Sequence, residues 1–429
     1  MSRLPPPRSP SPSSSALSAV SSRAAERKIV FLLAAVQFVN ILDFMMVMPL
    51  GPDFAAALGI PTSRLGIVGG SYTAAAAIAG LISARFVDRF DRRRALTVAM
   101  LGLVAGTAGG AFAHSFAGLV ATRIIAGMFG GPATSITLAI LADAVPPERR
   151  GRAMGAVMGA FSAASVLGVP AGLELAQRGG WRMPFFAVAG LGLLVVLAVF
   201  TLMAPQRNHL GAGASRAAPR PLPEFLADTR VRLSYLATVT AFLGVFAVIP
   251  NLATYFQFNL GYPRDSLSTL YLCGGVVSFF AMRAAGVVVD RRGPLAVIWF
   301  GAGLLATLFL GGFVPAHTPI PVPVIFVGFM LGNSVRMVGL QTLTSKIPAP
   351  AERGRFMSIQ SAVQHMASAV GAVIASAVLV DRPDHGLGGM ERVALLGAAL
   401  AVALPLLVIA ILRRLPALPA PAKVAVATP

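Results

Sequence analysis

Charge is the scarcest commodity in this 429-residue chain. Charged residues make up 12% of it, about half the share of an ordinary soluble domain. Acids are scarcer still, 16 Asp and Glu against 35 Lys and Arg. The single cysteine, Cys273, excludes an internal disulfide and a cysteine-built metal site. Five dispersed histidines lack metal-ligand spacing. No HExxH, GxSxG or Walker loop is present, and no span carries paired acids, so neither a membrane-embedded enzyme nor an ATP-driven pump finds its chemistry here. What fills the chain instead is apolar: 56% hydrophobic residues and a mean hydropathy of +0.77. The net charge of +19 does not indicate nucleic acid, because the basic residues are scattered through short loops rather than gathered on one face or tail.

Apolar runs of roughly 20 residues are long enough to cross a bilayer as helices, and too long for barrel strands. Lipid offers the backbone no hydrogen-bond partner, so each run must be helical. Spans are predicted at 29 to 50, 64 to 84, 94 to 113, 116 to 143, 152 to 175 and 183 to 203, then at 232 to 257, 266 to 288, 294 to 314, 321 to 345, 354 to 380 and 390 to 412. Between the two sets lies a polar linker, 204–230; residues 1–27 and 414–429, rich in Pro, Ser and Ala, read as a disordered tail and a short closing tail. The halves are thus 28–203 and 231–413. Only Arg64, Arg178, Arg182, Arg264, Arg382 and Arg392 fall on one side of this division, with nearly all other basic residues opposite. That asymmetry puts both termini in the cytoplasm of a multi-pass plasma-membrane protein.

Two markers recur. ARFVDRFDRRR (84–94) is echoed by GVVVDRRGP (286–294), and RRGRAMG (149–155) by ERGRFMS (352–358), both at an offset of about 200 residues. One offset for two unrelated charge clusters implies a duplicated six-helix unit. These residues resemble the major facilitator superfamily, and more narrowly its twelve-span drug/proton antiporter branch, close to bacterial arabinose-efflux-type permeases. The signature between spans 2 and 3 is matched by Ala84, Asp88, Arg89, Arg92 and Arg93, with Asp91 where the family usually has Gly. The second copy carries Asp290 and Arg291, with Pro294 where a basic residue is usual. LVATRIIAGMFGG in span 4 resembles a second motif through Arg123 and Gly127. LGVPAG in span 5 resembles the antiporter motif at Gly168, Pro170 and Gly172, with Val169 splitting the usual Gly-Pro pair.

The resemblance implies an all-α integral membrane fold of twelve transmembrane helices in two pseudo-symmetric six-helix halves, the major facilitator fold, functioning as a monomer. It also implies that Asp88, Arg89, Arg92, Asp290 and Arg291 gate the cytoplasmic side crosswise, Asp88 against the start of span 11 and Asp290 against span 5, and that Gly168, Pro170 and Gly172 of span 5 take part in the conformational change.

Asp43, inside the apolar run of span 1, is the rarest feature of the chain. A rise of about 1.5 Å per residue sets it about 20 Å from the cytoplasmic edge of a 30 Å core, and Arg123 about 10 Å from the outer edge. The two share one depth, where an ionised group needs a partner or a wet cavity. Desolvation favours a neutral acid and the arginine an ionised one, so proton binding at Asp43 is expected to depend on their separation. The same burial would suit a static pair that only fixes helix packing. By resemblance spans 1, 4, 7 and 10 line a central cavity, placing Asn40, Asn251, Tyr255, Gln257 and Arg336 around it. Gln360, Gln364 and His365 add polar groups on span 11. Each could equally serve as a hydrogen bond between helices. The expectation is proton-coupled efflux of small, mostly apolar molecules, driven by the proton gradient without a cofactor; uptake by symport of a sugar or metabolite is the nearest alternative.

Overall fold

A computed structural model describes residues 12–83, 90–206, 220–315, 318–349 and 352–414. Among the described residues twelve helices are long and apolar enough to cross a bilayer. Spans 1 to 6 are Ala25–Met46, Thr62–Ser83, Arg92–Ala111, Phe116–Leu141, Ala153–Gly179 and Met183–Leu202. Spans 7 to 12 are Thr229–Asn259, Arg264–Arg292, Pro294–Phe313, Val322–Thr344, Arg355–Val378 and Met390–Leu412. An even number of crossings puts both ends of the chain on one face; the opposite face is termed outer.

The helix ends explain two departures from the signature. Asp91 caps span 3, its carboxylate accepting the N–H of Arg93 at 2.9 Å, where glycine would offer no side-chain acceptor. In the second copy Gly293 turns the chain at φ +80° and Pro294 opens span 9, so a stop and a start fall on adjacent residues. Asp88 and Arg89 lie outside the described residues.

Within the first half, span 4 packs against spans 2 and 3. Gly127 permits the close approach of spans 2 and 4, since a Cβ there would fall 2.2 Å from the carbonyl oxygen of Tyr72. The halves meet along spans 2 and 11 and along spans 5 and 8.

Three features depart from the expected layout. The first helix reaches back to Pro12, so the segment assigned to a disordered tail is helical from there on; its Ala and Ser residues after Pro12 include no further proline to stop it. The linker holds a short helix, Leu222–Ala227, whose Phe225 is fully buried beside Val231 and Phe356. Between spans 11 and 12 a small antiparallel hairpin pairs Val380–Asp381 with Leu387–Gly388. Spans 5 and 7 also contain π-turns, Ala164–Gly168 and Tyr255–Asn259. Span 7 has in addition a 3-10 turn, Ile249–Asn251, around Pro250, whose missing N–H breaks the regular ladder.

Candidate transport site

Asp43 and Arg123 meet. One guanidinium nitrogen, Nη1, lies 3.0 and 3.2 Å from the two carboxylate oxygens, with both side chains almost wholly buried. Span 3 supplies a third member: the Thr107 hydroxyl is 2.7 Å from Asp43 Oδ1 and 2.8 Å from the Leu103 carbonyl. A hydroxyl has one proton to donate. It can donate to an ionised Asp43; with the acid protonated, it can accept from the carboxyl while donating to Leu103. Arg123 has two further supports, the Gly106 carbonyl at 3.4 Å and the Phe185 ring with its centroid 5.2 Å from Cζ. The site therefore belongs to spans 1, 3, 4 and 6, inside the first half.

Asn40, one turn inward from Asp43, uses its amide within the same half. Nδ2 donates to Gly130 O at 2.9 Å and Thr134 Oγ1 at 2.7 Å, and Oδ1 accepts from the Tyr72 hydroxyl at 2.7 Å. Thr134 in turn donates to Gln37 at 3.2 Å.

The polar residues of the second half are dispersed. Asn251 is fully buried in the 3-10 turn of span 7, its Nδ2 donating to Ala247 O at 3.1 Å. Tyr255 faces Phe313 of span 9, ring centroids 5.1 Å apart. Gln257 bonds back to Ala253 O at 3.3 Å. Arg336 is 2% exposed and donates to Ala241 O at 2.7 Å and Asn333 Oδ1 at 3.1 Å. Gln360 ties span 11 to Thr238 of span 7 at 2.6 Å, while Gln364 and His365 on the next turn are half-buried. The structure thus assembles the Asp43–Arg123 pair and leaves these side chains apart from it.

One of the contacts between the halves is aromatic. Phe44 of span 1 lies 5.4 Å from Tyr72 and 5.9 Å from Phe246 of span 7, which stacks on Phe242 at 6.1 Å. Phe44 adjoins Asp43 in sequence, a signal that was available; Thr107 carried none, because threonine is ordinary in an apolar helix.

At the inner end Arg92 is buried, pairing with Asp143 and donating to Ala139 O at 3.1 Å, so it joins the start of span 3 to the end of the span 4 helix. Asp290 and Arg291 are exposed at the end of span 8. The start of span 11 is held by the linker: Arg220 makes two 2.7 Å bonds to the Glu352 carboxylate, and Arg355 donates to Arg220 O. The Arg220 hydrogen bonds hold the Glu352 carboxyl below its usual range despite opposing desolvation. In span 5, Gly168 admits Leu42 of span 1, whose Cδ1 would be 2.5 Å from an added Cβ, and Gly172 faces Met46; Pro170 lies in the first turn after the π-turn.

A family model described as Major Facilitator Superfamily matches residues 33–372. The chain belongs to that superfamily. This transporter is 28% identical over 391 residues to the chloramphenicol resistance protein of Streptomyces lividans, covering 87% of this chain and 94% of that one. It is 25% identical over 356 residues to the purine ribonucleoside efflux pump NepI of Escherichia coli, covering 81% and 85%. Among solved structures it resembles the xylose transporter XylE of E. coli in a partially occluded inward-open conformation, with a TM-score of 0.72, 16% identity, and coverage of 92% and 98%. A bacterial homolog of the human lysosomal transporter Spinster, inward-facing and occupied, gives a TM-score of 0.70 at 15% identity, covering 90% and 97%. At such identities the likeness to the solved structures concerns the fold alone.

Proposed function

We propose that this transporter is a proton-coupled exporter of small, mostly apolar molecules, resident in the plasma membrane with both termini cytoplasmic. The observation that carries the reading is the buried Asp43–Arg123–Thr107 cluster. An acid removed from water and paired with a fixed cation is a costly arrangement to keep for packing alone. Protonation removes the charge that Arg123 faces and leaves the guanidinium with one weak carbonyl contact and the Phe185 ring. Spans 1, 3 and 4 then have reason to shift relative to one another, and that shift links the proton to the alternation of the two halves.

Substrate would occupy the space between the halves, where Phe44, Tyr72 and Phe246 offer aromatic faces with the Tyr72–Asn40 pair beside them. This lining suits an uncharged molecule with an apolar or aromatic body and a few polar groups. Two relatives, named for chloramphenicol resistance and for purine ribonucleoside efflux, support export of small molecules.

The test is flux in oriented vesicles with an imposed proton gradient. Export should follow the gradient in the native protein and vanish in Asp43→Asn while the variant still inserts. Undiminished gradient-driven export by Asp43→Asn would remove the proton assignment, and accumulation of substrate together with protons would replace export by symport.

A further inference from the structure

The segment between spans 1 and 2 is gripped twice by the opposite half. It contains a short helix, Gly51–Leu58, and the 3-10 turn Thr62–Arg64 that opens span 2. At the first grip Arg264, at the start of span 8, makes a two-point contact with Asp53, Nη2 to Oδ2 at 2.8 Å and Nε to Oδ1 at 3.3 Å. At the second, Asp381 of the hairpin reaches the start of span 2. Its Oδ1 accepts from the Thr62 hydroxyl and from the Ser63 N–H at 2.8 Å, and its Oδ2 accepts from the Ser63 hydroxyl at 2.7 Å.

The second contact meets a local need. The residue preceding the 3-10 turn is Pro61, which supplies no side-chain cap, so the first donors of span 2 require an acceptor from elsewhere. Asp381 provides it from the other half of the molecule. The hairpin that carries Asp381 is itself anchored: Asn259, closing the π-turn of span 7, donates to Leu387 O and accepts from Leu387 N, both at 2.9 Å. The end of span 7, the hairpin and the start of span 2 therefore form one hydrogen-bonded unit across the boundary between halves.

We propose that these contacts form a two-point outer clasp, with Asp381 as its positioning residue, and that releasing it is the step that opens the transporter outward. Chemistry and location both favour a reversible role. Asp381 is exposed, and the Asp53 and Arg264 side chains are 27% and 23% exposed, so water can replace each lost bond. Separated spans in the bilayer interior would gain no such replacement. Behind the clasp lies a small cavity lined by Val47, Met48, Gly51, Leu65, Val68 and Pro250. Met48, 8% exposed, reports whether that space has opened.

The experiment uses the full chain in nanodiscs, with exposed Cys273 replaced by Ser and Met48→Cys as the probe. The readout is the rate of reaction with a hydrophilic methanethiosulfonate, which needs neither substrate nor a proton gradient and so is independent of the Asp43 assignment. Asp381→Ala should raise the rate tenfold or more. Asp381→Asn, which keeps one acceptor oxygen, should fall between, a graded rescue that loss of hairpin packing would not give. Thr62→Val with Ser63→Ala, which leaves Asp381 only the Ser63 N–H, should raise the rate most of the way to that of Asp381→Ala, and adding Asp381→Ala to that pair should bring it to the Asp381→Ala rate and no further. Native labelling rates in Asp381→Ala overturn the proposal. If that variant does not fold, native rates in the Thr62→Val, Ser63→Ala protein, which leaves the hairpin untouched, overturn it equally.

Discussion

Asp43→Asn and Arg123→Met, separately and together, distinguish a working ion pair from a structural one. Breaking a buried pair by removing one partner costs about 3–5 kcal/mol, because the other charge is left uncompensated; replacing both by neutral groups of similar volume is often neutral or stabilising. Here both side chains are at most 1% exposed, so no solvent screening softens the single losses. In Asp43→Asn, Arg123 keeps the Gly106 carbonyl and the Phe185 ring, which places that loss at the lower end. In Arg123→Met, Asp43 keeps only Thr107 and can relieve its charge by taking a proton. For a unit of 150–250 residues, such as one half, about 2–4 °C accompanies each kcal/mol. The single variants should then lose roughly 6 to 20 °C in a thermal unfolding assay of purified protein, and the double variant should recover most of it. Gradient-driven export should stay absent in all three. A double variant that regained both heat resistance and export would refute the reasoning, since the pair would then be a packing element that any neutral filling replaces.

Docking of the linker helix should be insensitive to mild acid. The Glu352 carboxyl titrates lower in the folded protein than in the unfolded chain, so its contribution is present above the ordinary glutamate range, about 4.3, and is lost only as pH falls through the lower folded value. Protection across Leu222–Ala227, taken relative to the intrinsic exchange rate at each pH, should accordingly be unchanged between pH 7 and pH 5; loss of protection in that window would contradict the Arg220–Glu352 assignment. Phe225→Ala removes a fully buried ring, a change worth about 3–5 kcal/mol in a core, and should release the same helix in the same assay at neutral pH. Gly127→Ala should abolish folded protein in a size-exclusion assay, because its Cβ would meet the Tyr72 carbonyl. Gly190→Ala in span 6, with nothing within 4 Å, should be tolerated.

Particular residues mark where sequence reasoning worked. Span positions were legible because apolar length and the absence of a backbone partner in lipid act locally along the chain. The meeting of Asp43 with Arg123 was legible for a related reason, since a fixed rise per residue converts sequence position into depth. Direction around the helix axis was a different matter. Nothing in the sequence showed that Asn40 spends its amide on Gly130, Thr134 and Tyr72, or that Tyr255 faces Phe313. Rotation of a helix about its axis is set by its neighbours, and a uniformly apolar span carries little periodic signal to reveal it. Glu352 illustrates the same limit: charge alone does not tell which of several cations reaches it, and the structure brings Arg220 of the linker.

By itself the sequence determined the membrane as solvent, the twelve crossings, the duplicated halves and the presence of one deep acid and a cation at its level. Each of these depends on composition or on counting along the chain. Only the tertiary structure decided that Thr107 completes the acid's shell, that aromatic rings meet between the halves, and that Asp381 caps a helix start 318 residues away in the chain. Those contacts join segments remote in sequence through directional hydrogen bonds and ring packing, which exist only once the helices have taken their rotations and crossings.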